Sequence, residues 1–309
     1  MWKNLWPETP NSEIPISHIT NGAHLSSWFA DEMAKLYDRY LGPRWVEDPS
    51  NTNIWQRVHA IPDSELWASK ERLRHRLVSY ARRKLKDHLT RNKVAPHDIA
   101  RAEEILNPEA LTIGFARRFA TYKRATLLFS NIDRLKKILL NPQKPVQIVM
   151  AGKAHPQDNE GKEFLKYIYK IANTPEFYKH IVFIEDYDIG VARYLVQGVD
   201  VWLNTPRRPL EASGTSGMKA IINGVLNFSI LDGWWAEAYN GSNGWGFGGQ
   251  EDYKDYAYQD MIEANALYDI LENQIVSLYY FRDINGIPRD WIQMIKESMR
   301  TLCPMFNTY

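Results

Sequence analysis

The sequence has one cysteine, no long apolar run and almost no net charge, and each deficit excludes a class of protein. A single thiol, Cys303, can neither form an intramolecular disulfide nor complete a zinc cluster. No apolar stretch approaches the roughly 18 residues that cross a bilayer, and the start of the chain lacks the apolar core of a signal peptide. We therefore expect a cytoplasmic protein that is neither secreted nor membrane-spanning.

The charges balance, with 38 Lys and Arg residues against 37 Asp and Glu residues and a formal net charge of +1. No global basic field would gather nucleic acid or anionic membrane, so any anion site has to be local. Hydrophobic residues form 44% of the 309 and aromatic residues 13%, which is enough for a sizeable core. At roughly 150 residues per domain, the length allows two domains or one large α/β domain with additional helices.

Residues 1–107 are predicted to form a mainly helical segment with an irregular start. A helical pattern covers 28–40, and apolar spacing from Asp63 to about Asn92 predicts one long amphipathic helix. The polar face of this helix carries cations that could contact the phosphates of a nucleic acid, but no known nucleic-acid motif accompanies them, and a solvated face is favoured. These cations are Lys70, Arg72, Arg74, Arg76, Arg82, Arg83, Lys84 and Lys86.

Between residues 108 and 309, short β-rich runs alternate with helical segments, which predicts a parallel sheet flanked by helices. Strands are expected at 111–115, 146–151, 180–185, 199–204 and 226–231, and helices at 122–140, 159–172, 190–197 and 217–223. The stretch 234–258 is interpreted as a long loop, followed by helices near 253–281 and 288–302. Ligands of such a sheet bind beyond the carboxyl ends of its strands.

Four motifs fall in the loops at those strand ends. Glu211–Lys219 places a glycine-containing turn before a helix, a setting that suits phosphate or carboxylate, although an ordinary strand-to-helix turn is equally compatible. Residues 117–124 contain four cations that could enclose a phosphate or form a solvated cluster. Residues 184–187 and 152–156 follow two other strands. A glycine pattern from Gly241 precedes no predicted crossover helix, so we discount it as a dinucleotide fingerprint.

Taken together, these motifs resemble those of the α-glucan (glycogen, starch and maltodextrin) phosphorylases, in particular the short bacterial and archaeal form. The family signature Glu-Ala-Ser-Gly-Thr-Gly-Asn-Met-Lys, followed by Asn-Gly and Asp-Gly, is matched by Glu211–Lys219, Asn223-Gly224 and Asp232-Gly233. Ser216-Gly217 replaces Gly-Asn, and Ala120 replaces a His. The resemblance implies a Rossmann-like domain similar to the carboxyl-terminal domain of a two-domain glycosyltransferase-B enzyme, with the amino-terminal domain absent from this chain.

The resemblance also implies a reaction and roles for individual residues. Lys219 matches the lysine that holds pyridoxal 5′-phosphate as a Schiff base, and the phosphate of this cofactor takes part in retaining phosphorolysis of terminal α-1,4-glucosyl units to glucose 1-phosphate. Arg118 and Lys123 match the pair that cradles substrate phosphate. The other matches are Gly214 and Thr215 at phosphate, Arg117 and Asn204 around the cofactor phosphate, Tyr187 and Trp28 near the cofactor, and Asn21, Glu211, Ser213 and Gly214 around the glucosyl unit.

The partners implied are an α-1,4-glucan and inorganic phosphate, with no nucleic acid or membrane, and either a homodimer or a complementing amino-terminal half. One alternative is a nucleotide-sugar-dependent retaining glucosyltransferase, but similar enzymes of that type have a Glu where Lys219 stands. The other alternative is an inactive glucan-binding fragment, which the missing half and the 11 Trp and 17 Tyr residues motivate.

Overall fold

A six-stranded parallel sheet lies at the centre of the chain, whose computed structural model describes residues 5–10, 13–249, 251 and 253–309. The strand order is β3-β2-β1-β4-β5-β6, which reverses direction between β1 and β4 as in a Rossmann-like fold and confirms the predicted fold class. The strands are β1 (Leu111–Ala116), β2 (Val146–Ala151), β3 (Ile181–Ile184), β4 (Val201–Asn204), β5 (Leu226–Ile230) and β6 (Gly244–Phe247).

Helices cover both faces of this sheet, which is why β1, β2, β4 and β5 are buried along their whole length. In chain order they are α1 (Asp31–Tyr40), α2 (Arg44–Glu47), α3 (Thr52–Trp55), α4 (Asp63–Arg91), α5 (Pro96–Ala100), α6 (Ile132–Leu139), α7 (Asn159–Ala172), α8 (Ile189–Gly198), α9 (Ser216–Ile221), α10 (Trp234–Ala238), α11 (Tyr256–Ile270), α12 (Val276–Tyr280) and α13 (Arg289–Leu302). A π-helical turn, Leu271–Ile275, joins α11 to α12. No helix in the described part of the chain is both long and apolar enough to cross a membrane.

The long helix α4 forms as predicted, but two of its cations are buried rather than solvated. Arg74 Nη1 donates to Asp200 Oδ1 at 2.8 Å, and both side chains are almost fully inaccessible. Lys70 Nζ donates to the backbone oxygens of Val199 at 3.1 Å and Asn223 at 3.0 Å. The solvated-face prediction is therefore wrong for these two residues, and each of the two buried side chains donates to buried acceptors.

Two stretches of the carboxyl-terminal part differ from the sequence prediction. The helix expected over 122–140 is interrupted, because Arg124 adopts a left-handed conformation (φ 44°) and only α6 is α-helical there. The stretch 234–258 contains α10 and β6 instead of one long loop. Its glycines allow close contact in β6, since a Cβ on Gly244 would lie 2.6 Å from the backbone oxygen of Asn227.

Residues before and after position 107 share one hydrophobic core. Tyr37 and Trp55 belong to the same buried cluster as Ile222 and Met299, and α1, α4 and α13 pack together around it. The division of the chain into segments 1–107 and 108–309 stays a prediction.

Candidate functional site

Polar side chains meet at the carboxyl ends of β1 and β4, where the strand order reverses. Arg117 directly follows β1, and Asn204 is the last residue of β4. Arg117 Nη1 donates to Asn204 Oδ1 at 3.2 Å, while its Nη2 donates to Glu211 Oε2 at 2.5 Å. In doubly wound sheets the loops diverge at this point and leave a crevice for a ligand.

Lys123 completes a compact cluster, since its Nζ also donates to Glu211 Oε2. Burial raises the pKa of Glu211, but the attraction of Arg117 and Lys123 outweighs burial and holds the pKa below its ordinary value. Burial lowers the pKa of Arg117, although a guanidinium stays charged in proteins. Both cations use one carboxylate oxygen, so Glu211 Oε1 remains available to accept a hydrogen bond from a ligand.

Lys123 is held in place by its neighbour Arg124, which is 4% exposed. The Arg124 guanidinium donates to the backbone oxygens of Thr205 at 3.0 Å and Pro206 at 2.8 Å, and it pairs with Asp260 at 2.9 Å. Thr205 Oγ1 donates back to the Lys123 oxygen at 3.0 Å. The interpretation of 117–124 as a solvated cluster is thus wrong for Arg117, Lys123 and Arg124, which are paired and largely inaccessible to water. The interpretation as a phosphate site stays a prediction.

The loop that carries Glu211 is fastened by Asp232 and Gly233. Asp232 Oδ2 accepts from the Glu211 N–H and Oδ1 accepts from the Gly233 N–H, each at 2.9 Å, and burial raises the pKa of Asp232. The Trp234 N–H donates to the Ser213 oxygen at 3.0 Å. A side chain at Gly233 (φ 54°) would place its Cβ 2.4 Å from that oxygen. The loop can therefore approach this closely only with glycine at position 233.

Lys219 lies in α9, with its Nζ 4.3 Å from the centroid of the Trp28 ring. Burial lowers the pKa of Lys219. Among the described residues, no Asp or Glu forms an ion pair with this amine. An unpaired, desolvated primary amine is the form in which lysine attacks a carbonyl compound.

Of the other predicted residues, some lie close to these groups and others are exposed and form no hydrogen bond with them. Tyr187 is half-buried, and burial raises its pKa while the nearby charge of Arg117 opposes the rise. Gly214 (φ 85°) and Thr215 lie immediately before α9. Arg118 and Asn21 are exposed and form no hydrogen bond with the rest of the predicted site. Those two assignments stay predictions.

Two buried polar atoms of the site lack a partner within the part of the chain that the structure describes. They are Arg117 Nε and Ser213 Oγ. Buried donors without partners are costly, so a ligand in the crevice would be stabilised by satisfying them. A separate cavity of about 290 Å³ lies beside β3 and α4, and none of the predicted site residues lines it.

Sequence reasoning missed the residues that hold Trp28 and Lys219 together. Asn223 was visible only as part of an Asn-Gly pair, and Gln197 carried no signal in the sequence. Both donate side-chain hydrogen bonds to the Trp28 backbone oxygen.

Comparison with known proteins gives a consistent result over nearly the whole chain. The family model of the carbohydrate phosphorylases matches residues 2–275. The chain is 46% identical to maltodextrin phosphorylase of Thermococcus litoralis over 312 residues, which cover 100% of this chain and 36% of that protein. It is 45% identical to glycogen phosphorylase of Aquifex aeolicus, covering 99% of this chain and 43% of the relative. Glycogen phosphorylase of Mycobacterium tuberculosis is 39% identical, with shares of 98% and 35%. The chain thus spans between about a third and two fifths of the length of these relatives.

Proposed function

This chain belongs to the carbohydrate phosphorylase family, and we propose that it forms the cofactor- and phosphate-binding part of an α-glucan phosphorylase. In the proposed reaction, inorganic phosphate cleaves a terminal α-1,4-glucosyl bond and yields glucose 1-phosphate, with retained configuration, and a glucan one unit shorter. The observation that carries the proposal is the desolvated amine of Lys219, which forms no ion pair with any described residue and lies in the helix that follows the loop carrying Glu211. The names of the relatives, glycogen and maltodextrin phosphorylases, support the substrate class.

The residues present fit pyridoxal 5′-phosphate. Lys219 would attach it covalently, Trp28 and Tyr187 would flank its ring, and Arg117 and Asn204 would hold its phosphate. Arg117 Nε, which has no hydrogen-bond partner among the described residues, is a donor suited to an anion. When bound, the cofactor supplies a phosphate group that exchanges a proton with the substrate phosphate.

The cations of the site would neutralise two anions held close together. Two cations, Arg117 and Lys123, pair with a single carboxylate, Glu211, and Arg118 adds a third positive charge next to Arg117 in the chain, which leaves a local excess of positive charge although the chain as a whole is nearly neutral. Buried cations stabilise developing negative charge far better than cations in water do. We assign the substrate phosphate to Arg118 and Lys123, with the backbone of Gly214 and Thr215.

The glucosyl unit would bind on the Glu211 side of the crevice. Glu211 Oε1 makes neither of the hydrogen bonds to Arg117 and Lys123, so it can accept from a sugar hydroxyl. Ser213 Oγ is buried without a partner among the described residues and can bond a second hydroxyl. Gly214 and Asn21 complete the proposed sugar contacts.

A second wall of the crevice is also part of the proposal. Because the chain spans only 35% to 43% of its relatives, we propose that an amino-terminal half, in the same longer protein or in a separate chain, closes the glucan site. A homodimer is the alternative arrangement, and a measurement of the oligomeric state would distinguish it from a complex with an amino-terminal half.

Mass spectrometry of the trapped lysine tests the cofactor assignment. The chain is incubated with pyridoxal 5′-phosphate, reduced with borohydride and digested; we expect a pyridoxyl adduct confined to the peptide that contains Lys219. Lys219→Arg, which retains the charge, should lose it, and Lys123→Met should retain it. An adduct that persists in Lys219→Arg, or spreads evenly over surface lysines, would refute the assignment.

Release of glucose 1-phosphate then tests the reaction. It is measured from a maltodextrin with phosphate, with and without the amino-terminal half of a relative. We expect activity in the reconstituted protein and its loss in Lys123→Met. Adsorption to starch resin with no cofactor adduct would favour the glucan-binding fragment.

A further inference from the structure

Trp28 and Lys219 are far apart in the sequence, yet the ring covers the amine, and two side-chain amides hold this arrangement. The backbone oxygen of Trp28 accepts from Asn223 Nδ2 at 3.0 Å and from Gln197 Nε2 at 3.1 Å. Asn223 Oδ1 accepts from the Ala30 N–H at 2.8 Å. The backbone that follows the Trp28 side chain, from the Trp28 oxygen to the Ala30 N–H, is therefore fixed by partners from other elements.

Asn223 is also fixed to the helix that carries Lys219. Its Nδ2 donates to the Lys219 backbone oxygen at 3.1 Å, and its own backbone oxygen accepts from Lys70 Nζ at 3.0 Å. The side chain is fully buried, so these bonds face no competition from water. One residue thus connects the segment of Trp28 to α9.

Gln197 provides the second attachment from α8. Its Nε2 also donates to the Phe29 oxygen at 3.2 Å, and its Oε1 accepts from Arg76 Nη2 at 2.7 Å. Because this amide is itself oriented by Arg76, it holds the segment independently of Asn223.

We propose that Asn223 and Gln197 are positioning residues, which hold the Trp28 ring over Lys219 and so keep water away from its amine. This inference rests on the proposed role of Lys219 as the cofactor lysine. Burial lowers the pKa of Lys219. If the Trp28 ring moved away, water would reach the amine and its pKa would return towards 10.5. At neutral pH, fewer molecules would then carry the neutral amine that reacts with an aldehyde and releases water.

The test measures the amine itself, without cofactor. Lysines are reductively methylated with ¹³C-formaldehyde, the Lys219 resonance is assigned by its absence in Lys219→Arg, and its pKa is read from an NMR titration. Asn223→Ala and Gln197→Ala are compared with the wild type. Asn243→Ala is the matched control, because Asn243 is equally buried but donates to Ala238, at 2.8 Å, and not to the Trp28 segment.

We expect both variants to raise the Lys219 pKa by roughly half a pH unit or more and to slow imine formation with pyridoxal 5′-phosphate at neutral pH about threefold. The control should change neither quantity. Gln197 is only half-buried, so Gln197→Ala decides the matter if Asn223→Ala does not fold. An unchanged Lys219 pKa in the folded variants would overturn the inference. A wild-type chain that takes up no cofactor would count against the proposed function alone, since the pKa comparison needs none.

Discussion

Lys70 is a fully buried lysine, and replacing it with methionine tests whether its ammonium group controls the stability of the fold. Burial lowers the pKa of Lys70 from 10.5 to about 7, with Asp200 opposing this effect and Arg74 adding to it. One pKa unit corresponds to about 1.4 kcal/mol. The difference in the Lys70 pKa between the folded and the unfolded chain therefore corresponds to on the order of 5 kcal/mol in the free energy of unfolding.

The sign of the pH dependence follows from where the proton binds. At pH values between the folded pKa of about 7 and the unfolded pKa of 10.5, the unfolded chain binds a proton that the folded chain does not. The free energy of unfolding therefore rises with pH across this interval, by up to about 1.4 kcal/mol per pH unit. The contribution is complete above the unfolded pKa and is lost as the pH falls through the folded pKa.

Urea unfolding of the wild type and Lys70→Met at several pH values between about 7 and 9 measures this slope. The variant leaves the backbone oxygens of Val199 and Asn223 without their donor, which costs about 1 to 3 kcal/mol each at every pH. Only the wild type should gain the additional stability towards higher pH. Lys86→Met, at an exposed position of the same helix, should keep the wild-type slope. Equal slopes in wild type and Lys70→Met would refute the reasoning.

Three further substitutions test the supports of the site, each by urea unfolding. Gly233→Ala should destabilise the fold by about 1 to 3 kcal/mol, because φ is positive and the new Cβ meets the Ser213 oxygen; an unchanged midpoint would contradict this. Asp232→Asn keeps only one acceptor and should cost about 1 to 2 kcal/mol, and a neutral effect would show that the loop is held otherwise. Arg124 also forms an ion pair with Glu263, whose side chain is 1% exposed; Arg124→Met would leave this buried carboxylate without its cation and should cost about 3 to 5 kcal/mol, whereas a loss below about 1 kcal/mol would mean that the pair is dispensable.

The buried strands that consist of consecutive apolar residues could be predicted from the sequence. β2 begins and ends where expected, and the other four predicted strands differ only at their ends. β6 was missed because its sequence is Gly-Trp-Gly-Phe, in which two residues contribute no side chain to the pattern. Packing explains why it is nevertheless a strand: Leu231 and Tyr239 fill the space in which a side chain at Gly246 would lie.

The site was predictable where its chemistry is contiguous in sequence, as in the segment Glu211–Lys219. Helical periodicity could not reveal the burial of Lys70 and Arg74, since their acceptors come from the ends of other elements. The contact between Trp28 and Asn223 joins residues 195 positions apart. No local pattern encodes such a pair, and the tertiary structure alone brings it together.

The two ends of the segment Glu211–Lys219 are anchored by different parts of the fold, and this separates their functions. Asp232 fastens the end that carries the carboxylate, while Asn223 fastens the helical end that carries the amine. Neither anchor contacts the other end through a hydrogen bond. Asp232→Asn should therefore reduce the stabilisation of the chain against urea by inorganic phosphate while leaving the pKa of Lys219 unchanged. Asn223→Ala should raise the pKa of Lys219 while leaving the stabilisation by phosphate unchanged. A variant that altered both quantities equally would show that the segment moves as one rigid unit.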